Sequence, residues 1–199
     1  MIFQILFILM MEWMIKMYMN SNEIERDVLR QGDIISNTQM LGAINLRGIT
    51  FLNNNKNEKV GWQCNSKPIF GYAMVLSHSC EIAPENNVKL TSIILAPIRD
   101  IDKATDPSKI EDLKKSNILT HETKYSFLKY FFLEPTPKID FSNGSIVDFS
   151  KIYSLRKESY DDVLSKKILQ LRDTVVENIS LKLAVYFYRT TGLVIETII

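Results

Sequence analysis

The chain of 199 residues carries 24 Lys and Arg against 23 Asp and Glu, a formal net charge of +1. Whole-chain charge therefore gives no nucleic-acid footprint and leaves only a local basic groove as an option. A content of 46% hydrophobic and 10% aromatic residues excludes a disordered chain and is enough for one real core. Two cysteines are too few for a disulfide framework, so Cys64 and Cys80 read as reduced thiols of a cytoplasmic protein.

Residues 1–19, MIFQILFILMMEWMIKMYM, are strongly apolar but include Gln4, Glu12 and Lys16. The uninterrupted apolar stretch, Ile5 to Met11, is far shorter than the roughly 20 residues that span a bilayer. A basic start and a small-residue cleavage site are both missing, so this is not a signal peptide. It is an extension outside the native protein, with Met19 as the start, or a membrane or partner-binding helix, or a genuine spanning segment. A membrane enters only if the extension is real. The fold is therefore read from about Asn20.

Glu23–Arg30 reads as a short helical turn, and Gly32-Asp33 as a bend before a strand. Gly42–Leu52 is a predicted strand, with Asn53–Lys59 as a polar hairpin tip and Val60–Cys64 as the return. Ile69–Leu76 is a continuous apolar run of strand length, as expected of a strand covered on both faces. Lys89–Pro97 is a second such strand. Asp106 followed by Pro107 opens a helical insertion over about 106–117, with Ile110 and Leu113 at helical spacing. Tyr125–Leu133 is an aromatic-rich strand, Asn143-Gly144 between two apolar runs predicts a hairpin, and Lys151–Leu155 is a last strand. From Ser159 the period changes to 3.6, and Leu164, Ile168, Leu171, Val175 and Ile179 form one helical stripe. The expectation is a mainly β, α+β protein: a small barrel over residues 20–158 with a helical insertion, and a long C-terminal helix pair over 159–199 packed on it.

Several segments resemble the PemK/MazF toxin family, whose fold is a small SH3-like barrel closed by a C-terminal helix. Arg30-Gln-Gly-Asp-Ile-Ile35 is similar to that family's opening Arg-Gly-Asp-Ile-Val strand, and Ala73-Met-Val-Leu-Ser77 to its Pro-Ala-Leu-Val-Leu-Ser strand. Ile93–Pro97 is similar to its Val-Val-Pro strand, and Ser145–Ile152 to the strand before its final helix. The resemblance implies an RNA-acting toxin with an antitoxin partner and a homodimeric state. Gly71-Tyr72 stands where the family has its catalytic Arg-Pro, and Ile98-Arg99-Asp100 where its catalytic Thr follows the proline. Those roles do not transfer; Gly32, Asp33, Ser77 and Pro97 alone hold matching positions.

Ser77-His78-Ser79-Cys80-Glu81 is the densest chemistry in the chain. If the strand continues to Cys80, side-chain alternation puts His78 and Cys80 on one face. A histidine beside a cysteine suits a thiolate nucleophile with its base, or a base for attack by a ribose hydroxyl. The alternative is a hydrogen-bonded histidine and a small buried cysteine. In the catalytic version His78 is the general acid/base, Arg99 stabilises phosphate charge, and Cys80 and Glu81 shape the pocket. Ser77, Ser79, Asp33 and Arg47 are binding candidates. Lys103, Lys129, Arg156 and Lys157 are further basic candidates, and the aromatics of 125–132 either stack bases or fill the core. Cys64, His78, Cys80 and His121 together also admit a tetrahedral zinc site, although their spacing is not a finger pattern. No cofactor is expected, and no phosphate-loop, dinucleotide or serine-hydrolase motif is present. Two functions stay open: a toxin-like or defence-associated protein acting on RNA as a metal-independent endoribonuclease, or a non-catalytic nucleic-acid or protein-binding module of the same fold.

Overall fold

The computed structural model describes residues 17–41, 50–51, 62–63, 68–83, 86 and 90–188. At its centre lie β4 (Pro68–Val75) and β5 (Ser92–Asp100), an antiparallel pair in the register Tyr72↔Ile98 to Val75↔Leu95. Both are apolar on both faces because both faces are covered. Ala73 and Val75 join Ile93, Leu95 and Ile35 in one cluster, while Met74 joins Ile34, Ala96 and Ile98 in another. This is the period-two alternation of a two-faced strand.

β1 (Ile34–Leu41) pairs with the far side of β4, and β9 (Lys167–Leu169) pairs with β1. On the other side β5 is shared. Its first half pairs with β8 (Tyr153–Arg156) and its second half with β7 (Ser145–Asp148). β6 (Tyr130–Leu133) then pairs with β7. The seven strands run β6-β7-β5-β4-β1-β9, with β8 beside β5. Among the described residues no pairing joins β9 back to β6, so the antiparallel sheet is open. A separate two-stranded ladder joins β2 (Thr50–Phe51) to β3 (Trp62–Gln63). The mainly β, α+β class expected from the sequence is what the structure has.

The α-helices among the described residues are α1 (Ser79–Ile82), α2 (Ile101–Ala104), α3 (Ile110–Lys115), α4 (Tyr160–Ser165) and α5 (Asp173–Phe187). The insertion forms as read. Asp106 accepts a hydrogen bond from the Ser108 N–H, with Pro107 at the first turn, and α3 follows. Its apolar side closes a third cluster of Ile101, Leu113, Phe127, Phe132 and Ile146. Asn117 completes the outer edge of β6: its side-chain amide donates to Phe132 O at 2.7 Å and accepts from Phe132 N at 2.8 Å. An edge strand that would otherwise present open backbone groups is thereby capped.

Several elements differ from the sequence reading. The stripe from Leu164 to Ile179 is not one helix, because Lys167–Leu169 leaves it to pair with β1 and α5 starts afresh at Asp173. The buried Lys167 explains the break, since its ammonium meets Asp33 at 2.7 Å, and that partner outweighs helical periodicity. Asn143-Gly144 is not a two-residue hairpin: β7 pairs with β6, and residues 134–144 form the connection. Pro135 and Pro137 interrupt strand pairing there, and Phe141 turns inward onto Tyr72, ring centroids 5.6 Å apart. Tyr125–Phe127 is a 3-10 turn and not strand, and Glu23–Arg30 holds turns and bends without a helix. The folded body also begins before Asn20, because Met17 is buried and Tyr18 bridges to Leu171. Residues 1–16, the predicted tip at 53–59 and Arg47 and Cys64 lie outside the described residues. No helix among the described residues is long and apolar enough to cross a membrane.

Candidate functional site

β4 stops at Val75, so the SHSCE segment is not strand. Ser77 turns the chain, and its Oγ accepts from the Ile94 N–H at 2.8 Å. His78 is the N-cap of α1, with extended backbone and a side chain that accepts from the Cys80 N–H at 3.4 Å. The same Nδ1 lies 2.9 Å from Cys80 Sγ. Strand alternation, the reason the sequence reading joined His78 to Cys80, is absent; a capping turn brings them together instead. Which of Nδ1 and the thiol donates in this contact depends on the histidine tautomer. Both side chains are exposed. Cys80 lines a cleft of about 470 Å³ with Ser77, Glu81, Thr91, Ser92 and Ile94, and His78 meets that lining through Cys80. None of the residues described around that cleft is a Lys or Arg.

Ser79 and Asp33 serve the frame of this site. Ser79 Oγ accepts from the Gln31 N–H at 3.1 Å, and Gln31 Nε2 donates to Leu76 O at 3.2 Å. Gly32, at φ +85°, donates to Val75 O, and a Cβ there would come within 2.7 Å of Val176 on α5. Only glycine meets both demands. Asp33 is wholly buried; it accepts from the Arg30 N–H at 2.7 Å and pairs with Lys167. Burial pushes its carboxyl up to about 6 while the Lys167 ammonium pulls it back. Its side chain is closed off from any ligand, so the binding role expected for Asp33 gives way to a structural one. Gly32-Asp33 and Ser77, two of the segments that carry the family resemblance, thus meet in one turn-to-turn contact.

Arg99 lies elsewhere. From Ile94, at the His78 end, to Arg99 is roughly 17 Å along β5 at about 3.4 Å per residue. Its Nη1 donates to Asp148 Oδ2 at 3.0 Å, with the Asp148 side chain 1% exposed. Asp148 is paired across the ladder with Tyr130, which sets Arg99 on the face carrying the insertion. Three lysines gather on that face, around a cleft of about 370 Å³: Lys109, Lys124 and Lys129, with Phe127 and Tyr130. The structure therefore joins His78, Cys80, Glu81, Ser77 and Ser79, and it does not bring Arg99 to them. The sequence reading missed Lys109 and Lys124. They are spread over two segments separated by α3, and only the packing of the insertion onto β6 makes them neighbours of Lys129.

His121 is exposed in the loop after α3 and has Glu122 as its nearest ionic neighbour, at 3.9 Å. Among the described residues no group of three or more His, Cys, Asp or Glu is placed to hold a metal ion. The four-residue zinc set is thus not assembled by its described members.

A second missed residue is Lys182, on α5. It is fully buried, donates to Ser116 O at 2.7 Å and to Ser116 Oγ at 2.9 Å, and lies 5.8 Å from the centre of the Phe131 ring. Loss of water pushes its ammonium down to about 7. It ties the C-terminal helix to the end of α3. Position 182 breaks the apolar stripe between Ile179 and Leu183, the one trace it leaves in the sequence.

No protein-family model and no curated protein matches the chain. The resemblance to the PemK/MazF family accordingly rests on the quoted segments alone.

Proposed function

We propose that this is a toxin-like or defence-associated cytoplasmic protein of PemK/MazF type, built on an SH3-like barrel, that binds RNA without cutting it. The observation that carries the non-catalytic form is the separation of Arg99 from the His78–Cys80 pair. Metal-independent cleavage of a phosphodiester needs a proton-transfer group and a charge-stabilising donor on the same phosphate. His78 and Cys80 have no cation beside them in the described cleft, and Arg99 is held by Asp148 at the opposite end of β5. RNA as the ligand follows from the family resemblance, as do an antitoxin or other protein partner and a homodimer.

One contact favours a second reading, the endoribonuclease: His78 Nδ1 and Cys80 Sγ are 2.9 Å apart at an open cleft. In that version His78 moves the proton, Cys80 and Glu81 shape the pocket, and the product ends in a 2′,3′-cyclic phosphate. End-labelled RNA incubated with the full chain, with and without chelator, separates the two. The binding reading expects RNA that is retained on a filter, released by salt and recovered at full length. Cleavage that His78→Ala abolishes selects the endoribonuclease. Neither retention nor cleavage removes both.

A further inference from the structure

The insertion face has a site of its own. Lys109 comes from the 3-10 turn after Asp106, Lys124 from the segment before Tyr125, and Lys129 from the position just before β6, yet all three line one cleft. The acidic group in that lining is Asp106, whose carboxylate is already engaged by the Ser108 N–H and hydroxyl. Lys124 is paired with Asp112, and Lys129 lies 4.9 Å from the centre of the Tyr130 ring. Among the described residues no ion pair engages Lys109 or Lys129. Three lysines face one carboxylate on this concave wall, an excess that suits an anion with more than one charge.

The lining favours a nucleotide chain over a small anion. A neighbouring cleft of about 360 Å³ shares Lys124 and Phe127 but adds Asp112 and Glu122, so the lysine excess belongs to the first cleft. Phe127 and Tyr130 stand among the lysines there. Aromatic rings beside lysines are the pairing that single-stranded nucleic acids use, with bases stacked on aromatics and phosphates on cations.

We infer that the lysine cleft of the helical insertion holds the phosphate chain of single-stranded RNA. Lys109 and Lys129 take phosphates, and Tyr130 takes a base. The inference rests on the RNA-binding reading above and moves its seat from the His78 cleft to the insertion.

The test uses the full chain and a fluorescein-labelled oligouridylate of about twelve nucleotides, followed by anisotropy across a salt series. Single-stranded binding loses about 0.7 in log–log salt slope per phosphate contact removed, so Lys109→Gln/Lys129→Gln should flatten the slope by roughly 1.4. Affinity should fall roughly tenfold at moderate salt, with an unchanged melting temperature because both side chains are on the surface. Tyr130→Ala should weaken binding several-fold and leave the slope unchanged. An unaltered affinity and slope in the double lysine variant would overturn the inference. If His78→Ala produces the loss instead, the RNA reading stands and this site falls. If the native chain does not bind the oligomer, both fall.

Discussion

The two ends of β5 carry different chemistry. At the Ser92 end a histidine and a thiol touch each other beside an open cleft without a described cation. At the Asp100 end Arg99 is held by Asp148, and on the same face three lysines line a cleft with Phe127 and Tyr130, with no histidine or cysteine in that lining. Catalysis on a phosphodiester requires both kinds of group within a few ångströms, and the strand holds them roughly 17 Å apart. The comparison teaches that chemical density in a sequence is no substitute for convergence. The richest pentapeptide in the chain is a helix cap, and the groups that would complete it lie across the sheet.

Perturbing one end without the other sharpens this contrast. The largest effect is expected at the turn that frames His78. Asp33→Ala leaves Lys167 buried without its carboxylate and should cost about 3–5 kcal/mol in urea unfolding. A double replacement, Asp33→Leu with Lys167→Met, should recover much of that loss, since a well-packed apolar pair can replace a buried ion pair. Recovery with undiminished RNA binding would confirm that Asp33 serves the frame alone.

Next in size is Lys182, which braces the insertion end. Lys182→Ala removes a fully buried side chain and strands the Ser116 carbonyl, for an expected loss of about 3 kcal/mol. The pH dependence has a definite sign. The folded ammonium titrates at about 7 against an ordinary value of 10.5, so between these values the unfolded chain binds a proton that the folded chain does not. Stability then rises with pH across that window. Urea titrations at about pH 7.5 and 9.5, below the range where the burial-raised Tyr153 hydroxyl titrates at about 12, should show the rise in the native chain. Lys182→Met should flatten it. An equal rise in both would mean that Lys182 is not the group responsible.

The smallest expected effect is at the β6 edge. Asn117→Ala deletes both hydrogen bonds to Phe132 and should cost about 1–2 kcal/mol. Because β6 carries Lys129 and Tyr130 into the lysine cleft, this variant should also weaken RNA binding, while Asp33→Leu/Lys167→Met should not. Equal weakening by both variants would break the distinction between the two ends.

How much was legible in the sequence follows from how local each signal is. The apolar runs of β4 and β5 and the Asp106-Pro107 cap are specified by neighbouring residues, and the structure has them in place. The helical stripe after Ser159 failed because Lys167 answers to Asp33, more than a hundred residues away, and no local pattern encodes that pairing. The Asn-Gly signal failed for a similar reason: Gly144 does have a positive φ, at +98°, but it serves a longer connection that packs Phe141 on Tyr72. The His78–Cys80 contact was anticipated with the wrong geometry, since a capping turn and a strand can both bring residues two apart together. The separation of Arg99 was invisible because it depends on which end of β5 each segment reaches, a property of strand register. The lysine cleft was invisible for the same reason.

The most direct measurement is to map where RNA touches the protein. An oligouridylate containing 4-thiouridine would be crosslinked to the full chain by long-wavelength light, and the attached peptides identified by mass spectrometry. Crosslinks within residues 103–132, above all at Phe127 or Tyr130, are the predicted result. Crosslinks confined to residues 77–94, around His78 and Cys80, would contradict the account.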